Sequence, residues 1–142
     1  MTYSFSDLDI VFSSPAMGSI SCNGEGIGDI TFSRSNDMSA HDVGADGRVM
    51  TSKIVAKNGT VTLNIQQTSP LANWLVRYVN YVENASSSAF TGLTITASSR
   101  VMARQHTAFG CSPQKMPDAA YAQQGARRAF AFLAEMIEEE VA

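Results

Sequence analysis

Few residues in this chain have types and spacings that chemistry could use. Gly24-x-Gly26-x-Gly28 has the look of a phosphate cradle, but a cradle needs a helix directly after it, whose first N–H groups and dipole hold the anion. The residues that follow, Asp29-Ile30-Thr31-Phe32, alternate like a strand, and the glycine spacing fits neither nucleotide fingerprint. The stretch from Asn23 to Gly28 therefore reads as a flexible loop. His41, flanked by Asp37 and Asp42 with Ser39 nearby, has the residue types of a hydrolytic triad. A triad is a matter of geometry, though; neighbours along a strand point to opposite faces, and no nucleophile elbow accompanies them. The second histidine, His106, alternates with Arg104 and Ala108, opposite Phe109, and reads as facing water or an interface. Asp7 and Asp9 share a strand face. Two carboxylates can do acid–base work in a cleft, but a solvated or pore-facing strand edge is the commoner use of such a pair. Cys22 and Cys111 form no CxxC and no metal pattern, which leaves two small buried or half-buried thiols. The expectation is no catalytic residue, no cofactor and no metal site: not an enzyme.

The elements that would position these residues are mostly strands. Leu8, Ile10 and Phe12 alternate against Asp7, Asp9 and Val11, and Ile30 and Phe32 against Asp29, Thr31 and Ser33. Ser14 to Gly18 reads as a turn, with Ile20 and Cys22 in a short strand after it. Asn58-Gly59 suits a two-residue hairpin turn, which would set Ala56 against Val61, Ile54 against Leu63 and Ser52 against Ile65, with Lys53 and Lys57 on the wet face. Ser69 as N-cap and Pro70 at the first helical position open a helix to about residue 85. Its stripe is Leu71, Leu75, Tyr78 and Val82, widened by Trp74, Val79 and Tyr81. Strands resume at Leu93 and Ile95 and from Val101 to Phe109. Ala126 to Val141 has helical propensity, yet Phe130, Phe132, Ala134 and Met136 alternate, so a strand is expected from about Arg128 to Glu138. Glu138-Glu139-Glu140 reads as a solvated tail. The sum is a mainly β chain, an antiparallel β-sandwich or barrel with one flanking α-helix.

Bulk composition agrees. The 142 residues fit one domain, residues 1–142, able to bury a core without disulfide or metal. Charged residues are only 16%, and the deficit is filled by Ser, Thr, Asn, Gln, Ala and Gly, which suits a protein covered by copies of itself. Ten basic and thirteen acidic residues, net −3, carry no clustered nucleic-acid footprint. No apolar run approaches membrane-spanning length and no signal peptide is evident, so neither a membrane anchor nor export is expected.

One ordered set of segments goes further. Gly44-Ala45-Asp46-Gly47-Arg48-Val49-Met50-Thr51-Ser52 is followed by Gly59-Thr60-Val61-Thr62 and then by Thr68-Ser69-Pro70-Leu71-Ala72-Asn73. With the opening Tyr3-Ser4-Phe5-Ser6-Asp7 and the later Pro117, Asp118, Tyr121 and Gly125, this resembles a family of short phage and prophage tail proteins, similar to the tail tube subunits of contractile-tailed phages. The resemblance spans nearly the whole chain and departs from the pattern in the last third. It implies a small β-sandwich or barrel flanked by a helix. It also implies a homo-oligomeric ring, usually of six, stacked into a hollow tube through which double-stranded DNA passes without specific binding. Sheath, baseplate, tape-measure and terminator proteins would be its partners. It would be made and assembled in the host cytoplasm and end in the virion. A long loop at about residues 34–48, with Arg34, Asn36, Asp37, His41, Asp42, Asp46 and Arg48, would reach the neighbouring ring. The polar strand faces at Asp7/Asp9 and Asp29/Thr31/Ser33 would line the lumen. Two other readings stand beside this one: the tube of a secretion or other contractile injection system, and a small-ligand-binding β-barrel.

Overall fold

The computed structural model of the chain describes residues 2–23 and 26–141, so part of the expected loop, Gly24 and Glu25, lies outside the described residues. A 3-10 turn, Phe5–Asp7, leads into β1 (Leu8–Ser14) and β2 (Gly18–Cys22), joined by the expected tight turn with Gly18 at φ 76°. Then come β3 (Ile27–Arg34), β4 (Ser39–Val43), β5 (Val49–Lys53), β6 (Gly59–Gln66), α1 (Pro70–Glu83), β7 (Leu93–Ser99), β8 (Arg104–Pro113), β9 (Arg127–Ala134) and β10 (Met136–Val141). The architecture is mainly β with antiparallel pairing throughout and one α-helix among the described residues, as the alternation predicts.

The strands form two layers that share β8. The first runs β2-β1-β7-β8-β10; the second runs from the end of β8 through β9 and β6 to β3. The start of β8 pairs with β7 on one side and β10 on the other, while Ser112 and Pro113 pair with β9. Between these halves sits Gly110, at φ 63°, and the β7–β8 register shifts between Leu93 and Ile95. This is a bulge of the kind that lets a strand turn a corner. β9 and β10 cross between the layers in the same way, at Glu135. The single expected strand is thus two strands with a change of phase: Phe130, Phe132 and Ala134 point inward, and the next buried residue is Ile137, not Met136.

Side chains from both layers fill the space between them. Phe12, Ile95, Ala108 and Ile137 share one inward row of the first layer; Val61 and Phe132 lie opposite Phe32 in the second. Twelve strand side chains, among them Ile10, Phe12, Leu63, Ile65, Ile95, Phe130 and Phe132, are almost wholly excluded from water. At roughly 1.5–3 kcal/mol for each large side chain, this burial is the main force closing the layers. The helix seals one open side, packing against β2 and β6. Ser69 Oγ accepts a hydrogen bond from Leu71 N at 3.3 Å, as an N-cap should. Leu71, Ala72, Trp74, Leu75, Tyr78, Val79 and Val82 are buried, and the Trp74 ring lies 6.4 Å from Phe12. Tyr81, expected on this stripe, is instead 40% exposed.

The hairpin expected at Asn58-Gly59 does not form. Gly59 opens β6, whose neighbours are β3 and β9, so Arg34 and Ala134 flank it. Its requirement is close approach: a Cβ there would meet Ser33 O, the Ile137 side chain and the Arg34 backbone. Val61, Leu63 and Ile65 face the aromatic rows of β9, a more apolar match than Ala56, Ile54 and Ser52, which are exposed. The real hairpin joins β4 to β5 around Gly47, at φ 85°, where Gly47 N donates to Gly44 O (2.9 Å) and Gly44 N to Arg48 O (2.8 Å). β8 likewise begins three residues later than expected, because residues 100–103 form a turn with Ala103 at φ 53°.

Candidate assembly surfaces

The hairpin of β4 and β5 stands away from the core. Every residue from 35 to 58 is exposed, and these two strands pair only with each other. Its root, by contrast, is fastened. Arg34 Nε and Nη2 both donate to Ile137 O, at 3.0 and 2.8 Å, and Ile137 N donates to Lys57 O at 2.9 Å. Ser35 N donates to Asn58 O at 3.0 Å, and Asn36 Nδ2 to Asn58 Oδ1 at 2.7 Å. A flexible chain would not need two arginine N–H groups on one carbonyl; charge-assisted bonds of this kind fix direction.

Residues expected in a loop at 34–48 therefore divide into root, shaft and tip. Arg34 and Asn36 belong to the root, and Asp37 follows them. His41 and Asp42 are on β4 and face opposite ways, His41 beside Thr51 and Asp42 beside Met50. Asp46 and Arg48 form an exposed ion pair at the tip, 3.5 Å apart. Sequence reasoning missed the returning strand. Met38, Met50 and Ile54 share one face of the ribbon with Ala40, Asp42 and Ser52, and Val43 and Val49 share the other, all of them exposed. The signal was available: Gly44-Ala45-Asp46-Gly47 is a turn sequence with strand-like residues on both sides.

The proposed lumen residues separate onto two walls. Asp9 lies outward on the first layer in a row with Ser98, Gln105 and Glu140. The next row is Val11, Ser21, Thr96, Thr107 and Glu138. Asp7 is exposed in the 3-10 turn ahead of β1. Asp29, Thr31 and Ser33 lie outward on the second layer, opposite Asn64, Thr62 and Thr60, with Asn64 Nδ2 donating to Asp29 Oδ1 at 2.9 Å. The layers pack inner face to inner face, so these two sets look in opposite directions.

His106 corrects its sequence reading. It shares an inward row with Ile10, Cys22, Ala97 and Glu139, and its ring stacks on Phe32 across the layers, 5.3 Å between centroids. Glu139 Oε1 is 3.8 Å from its Nε2. Here the layers part, leaving an open cleft of about 290 Å³ lined mainly by apolar atoms of Tyr3, Leu8, Ile30, Phe32 and Met102, with Arg104 and His106 at its side. Two ionisable groups lie in the core near the helix: burial pushes both the Tyr78 phenol and the Cys111 thiol up to about 12. Cys111 Sγ donates to Ala108 O at 3.4 Å. Among the described residues no three His, Cys, Asp or Glu side chains gather in a metal-binding cluster, and no helix is long and apolar enough to cross a membrane.

The fold thus presents a packed core, a rooted free arm and an open cleft between the layers. Over residues 1–142 the chain matches the model of the bacteriophage PhiTE tail tube protein, and it belongs to that family. It is thus a structural component of a phage tail. No curated protein matches the chain. Among solved structures, it is similar to a chain of the anti-feeding prophage baseplate (TM-score 0.65, 9% identity, covering 99% of this chain and 97% of that one). It is also similar to the tube-terminating cap of the anti-feeding prophage (TM-score 0.61, 12% identity, 100% and 94%). A third likeness is to a chain of the PVC sheath-tube complex of an extracellular contractile injection system in its extended state (TM-score 0.56, 11% identity, 94% and 88%).

Proposed function

We propose that this subunit self-assembles into rings that stack into the hollow tube of a contractile phage tail, in the host cytoplasm, and that DNA leaves the capsid through it. Family membership is the observation that carries this reading. The layer topology supports a ring. The first layer has an edge strand at each side, β2 and β10, the latter capped at Ile137 by Lys57 and Arg34 and open beyond it, whereas the second layer ends at β3 and runs into β7 and β8 at its other side. Edge pairing between copies of the first layer would continue it around a ring. That layer would then form the inner wall, with Asp9, Glu138 and Glu140 toward the lumen and Asp29, Thr31 and Ser33 away from it. Sheath, baseplate, tape-measure and terminator proteins are the partners such a tube requires.

The arm, from Arg34 through Lys57, is the contact between rings. It has no packing of its own, so on a lone subunit its amides exchange quickly, and in the tube they are held. Hydrogen exchange compared between monomer and polymer tests this: strong added protection of residues 38–54 in the polymer is expected, and equal protection in both states overturns it. Negative-stain microscopy of concentrated protein tests the assembly itself, with rings or tubes expected; a persistent monomer would overturn the proposal. A tube of an extracellular contractile injection system would share this fold, and neighbouring genes for DNA packaging, rather than for secreted effectors, are the expected finding.

A further inference from the structure

The arm needs a receptor, and the cleft between the layers has the complementary chemistry. One face of the arm carries Met38, Met50 and Ile54 around a single carboxylate, Asp42. All are exposed, and Asp42 has no ion pair among the described residues. The cleft has an apolar floor from Leu8, Ile30, Phe32 and Met102 and a single guanidinium, Arg104, likewise exposed and without an ion pair among the described residues. We propose that the cleft is the docking site for the arm of a second copy of this chain, with Met50 and Ile54 entering between the layers and Asp42 pairing with Arg104. This rests on the reading of the arm as the contact between rings and goes beyond it by assigning the surface that receives it.

The physical case is that each surface is incomplete alone. Exposed methionines are adaptable and fill irregular apolar gaps, and an apolar strip with one charge is selective when its receptor offers the opposite charge at the rim. The same contact made by the other face of the arm would bring Lys53 toward Arg104, a repulsive pairing. The arm face is therefore chosen by charge as well as by apolar area.

A charge exchange tests the pairing and separates its failure from failure of the arm reading. Asp42→Arg and Arg104→Asp are made singly and together, beside Met50→Ser, and the concentration at which tubes sediment is measured for each. Each single exchange is expected to raise that concentration about tenfold or more, and the double exchange to bring it back near the parent value. If Asp42→Arg and Met50→Ser impair assembly while Arg104→Asp does not, or if the double exchange restores nothing, the cleft is not the receptor and the arm reading stands. If neither arm substitution changes assembly, both fall. The far-ultraviolet spectrum and thermal midpoint of each monomer should match the parent, since all three positions lie outside the packed core, and a variant that loses its fold is replaced by Asp42→Lys or Arg104→Glu.

Discussion

Tyr78 buries its ring completely, stacked on Trp74 at 5.8 Å between centroids, but its hydroxyl has no hydrogen-bond partner among the described residues. A buried, unmatched hydroxyl costs about 1–3 kcal/mol, so Tyr78→Phe is expected to stabilise the monomer by about 1 kcal/mol and raise its thermal midpoint by about 3 °C. The same residue predicts an alkaline limit. Tyr78 and Cys111 are held neutral up to about 12, whereas ordinary values are 10.0 and 9.0. Unfolding lets both ionise, so above pH 9 the unfolded chain binds fewer protons than the folded one. Their contribution is fully present below about pH 9 and is lost as pH rises toward 12. Denaturant melts of the parent and Tyr78→Phe across this range should converge on a shallower pH slope in the variant; parallel slopes would contradict the assignment. Gly59 gives a third test at this scale. A methyl group there must push apart β3, β6 and Ile137, so Gly59→Ala should cost about 1–3 kcal/mol, although its backbone angles would accept alanine.

Among the elements, the arm root is the place where local chemistry determines a large-scale direction. Removing the guanidinium in Arg34→Met deletes two charge-assisted bonds to Ile137 O, and the Ser35 and Ile137 amides should then exchange about tenfold faster or more in the monomer. Unchanged exchange would mean that the backbone alone holds the root. The elements also differ in how far they could be read from sequence. The helix was legible because Ser69, Pro70 and a stripe every three to four residues are local signals. The inward residues of β1, β3 and β6 were legible because alternation is local too. Asn58-Gly59 misled because a turn dipeptide cannot reveal that Val61, Leu63 and Ile65 have better partners about seventy residues later, in β9. The phase change at Glu135 and the inward turn of His106 have the same origin, since both depend on which layer a strand joins. Of the candidate assembly surfaces, the arm's outward half was legible from its turn formers. Its returning half and the cleft were not, because they depend on that pairing.

On the scale of the whole molecule, the outer faces of the two layers differ in charge, and in the proposed tube this difference would decide which one faces DNA. Within the paired rows, the first layer's outer face carries Asp9, Glu138 and Glu140 among Ser, Thr and Gln, with Val11, Phe109 and Met136, and no Arg or Lys from its own strands. Lys57, 3.8 Å from Glu138, comes from the arm root and is half-exposed, a pairing worth no more than about 1 kcal/mol. The second layer presents Asp29 and Arg127 among Thr, Ser, Asn, Gln66, Ala and Leu133. A basic lining would hold phosphates through counterion release, whereas an acidic one keeps a polyanion off the wall. In the proposed tube each carboxylate would be repeated around the ring as a band of negative charge, and bands on an inner wall would affect passing DNA more than the assembly of the wall. Joints within a ring, built from backbone pairing and neutral side chains, should tolerate salt, whereas the Asp42–Arg104 contact between rings should weaken. Raising ionic strength from 0.01 to 1 M shortens the Debye length from about 30 to about 3 Å, and over that range the yield of single rings should change little while their stacking declines. Under the same conditions Asp9→Lys with Glu140→Lys should still give tubes, but tubes that retain short double-stranded DNA at low salt and release it at high salt. Retention by Asp29→Lys tubes instead, with none by the first pair, would turn the subunit around and make the second layer the inner wall.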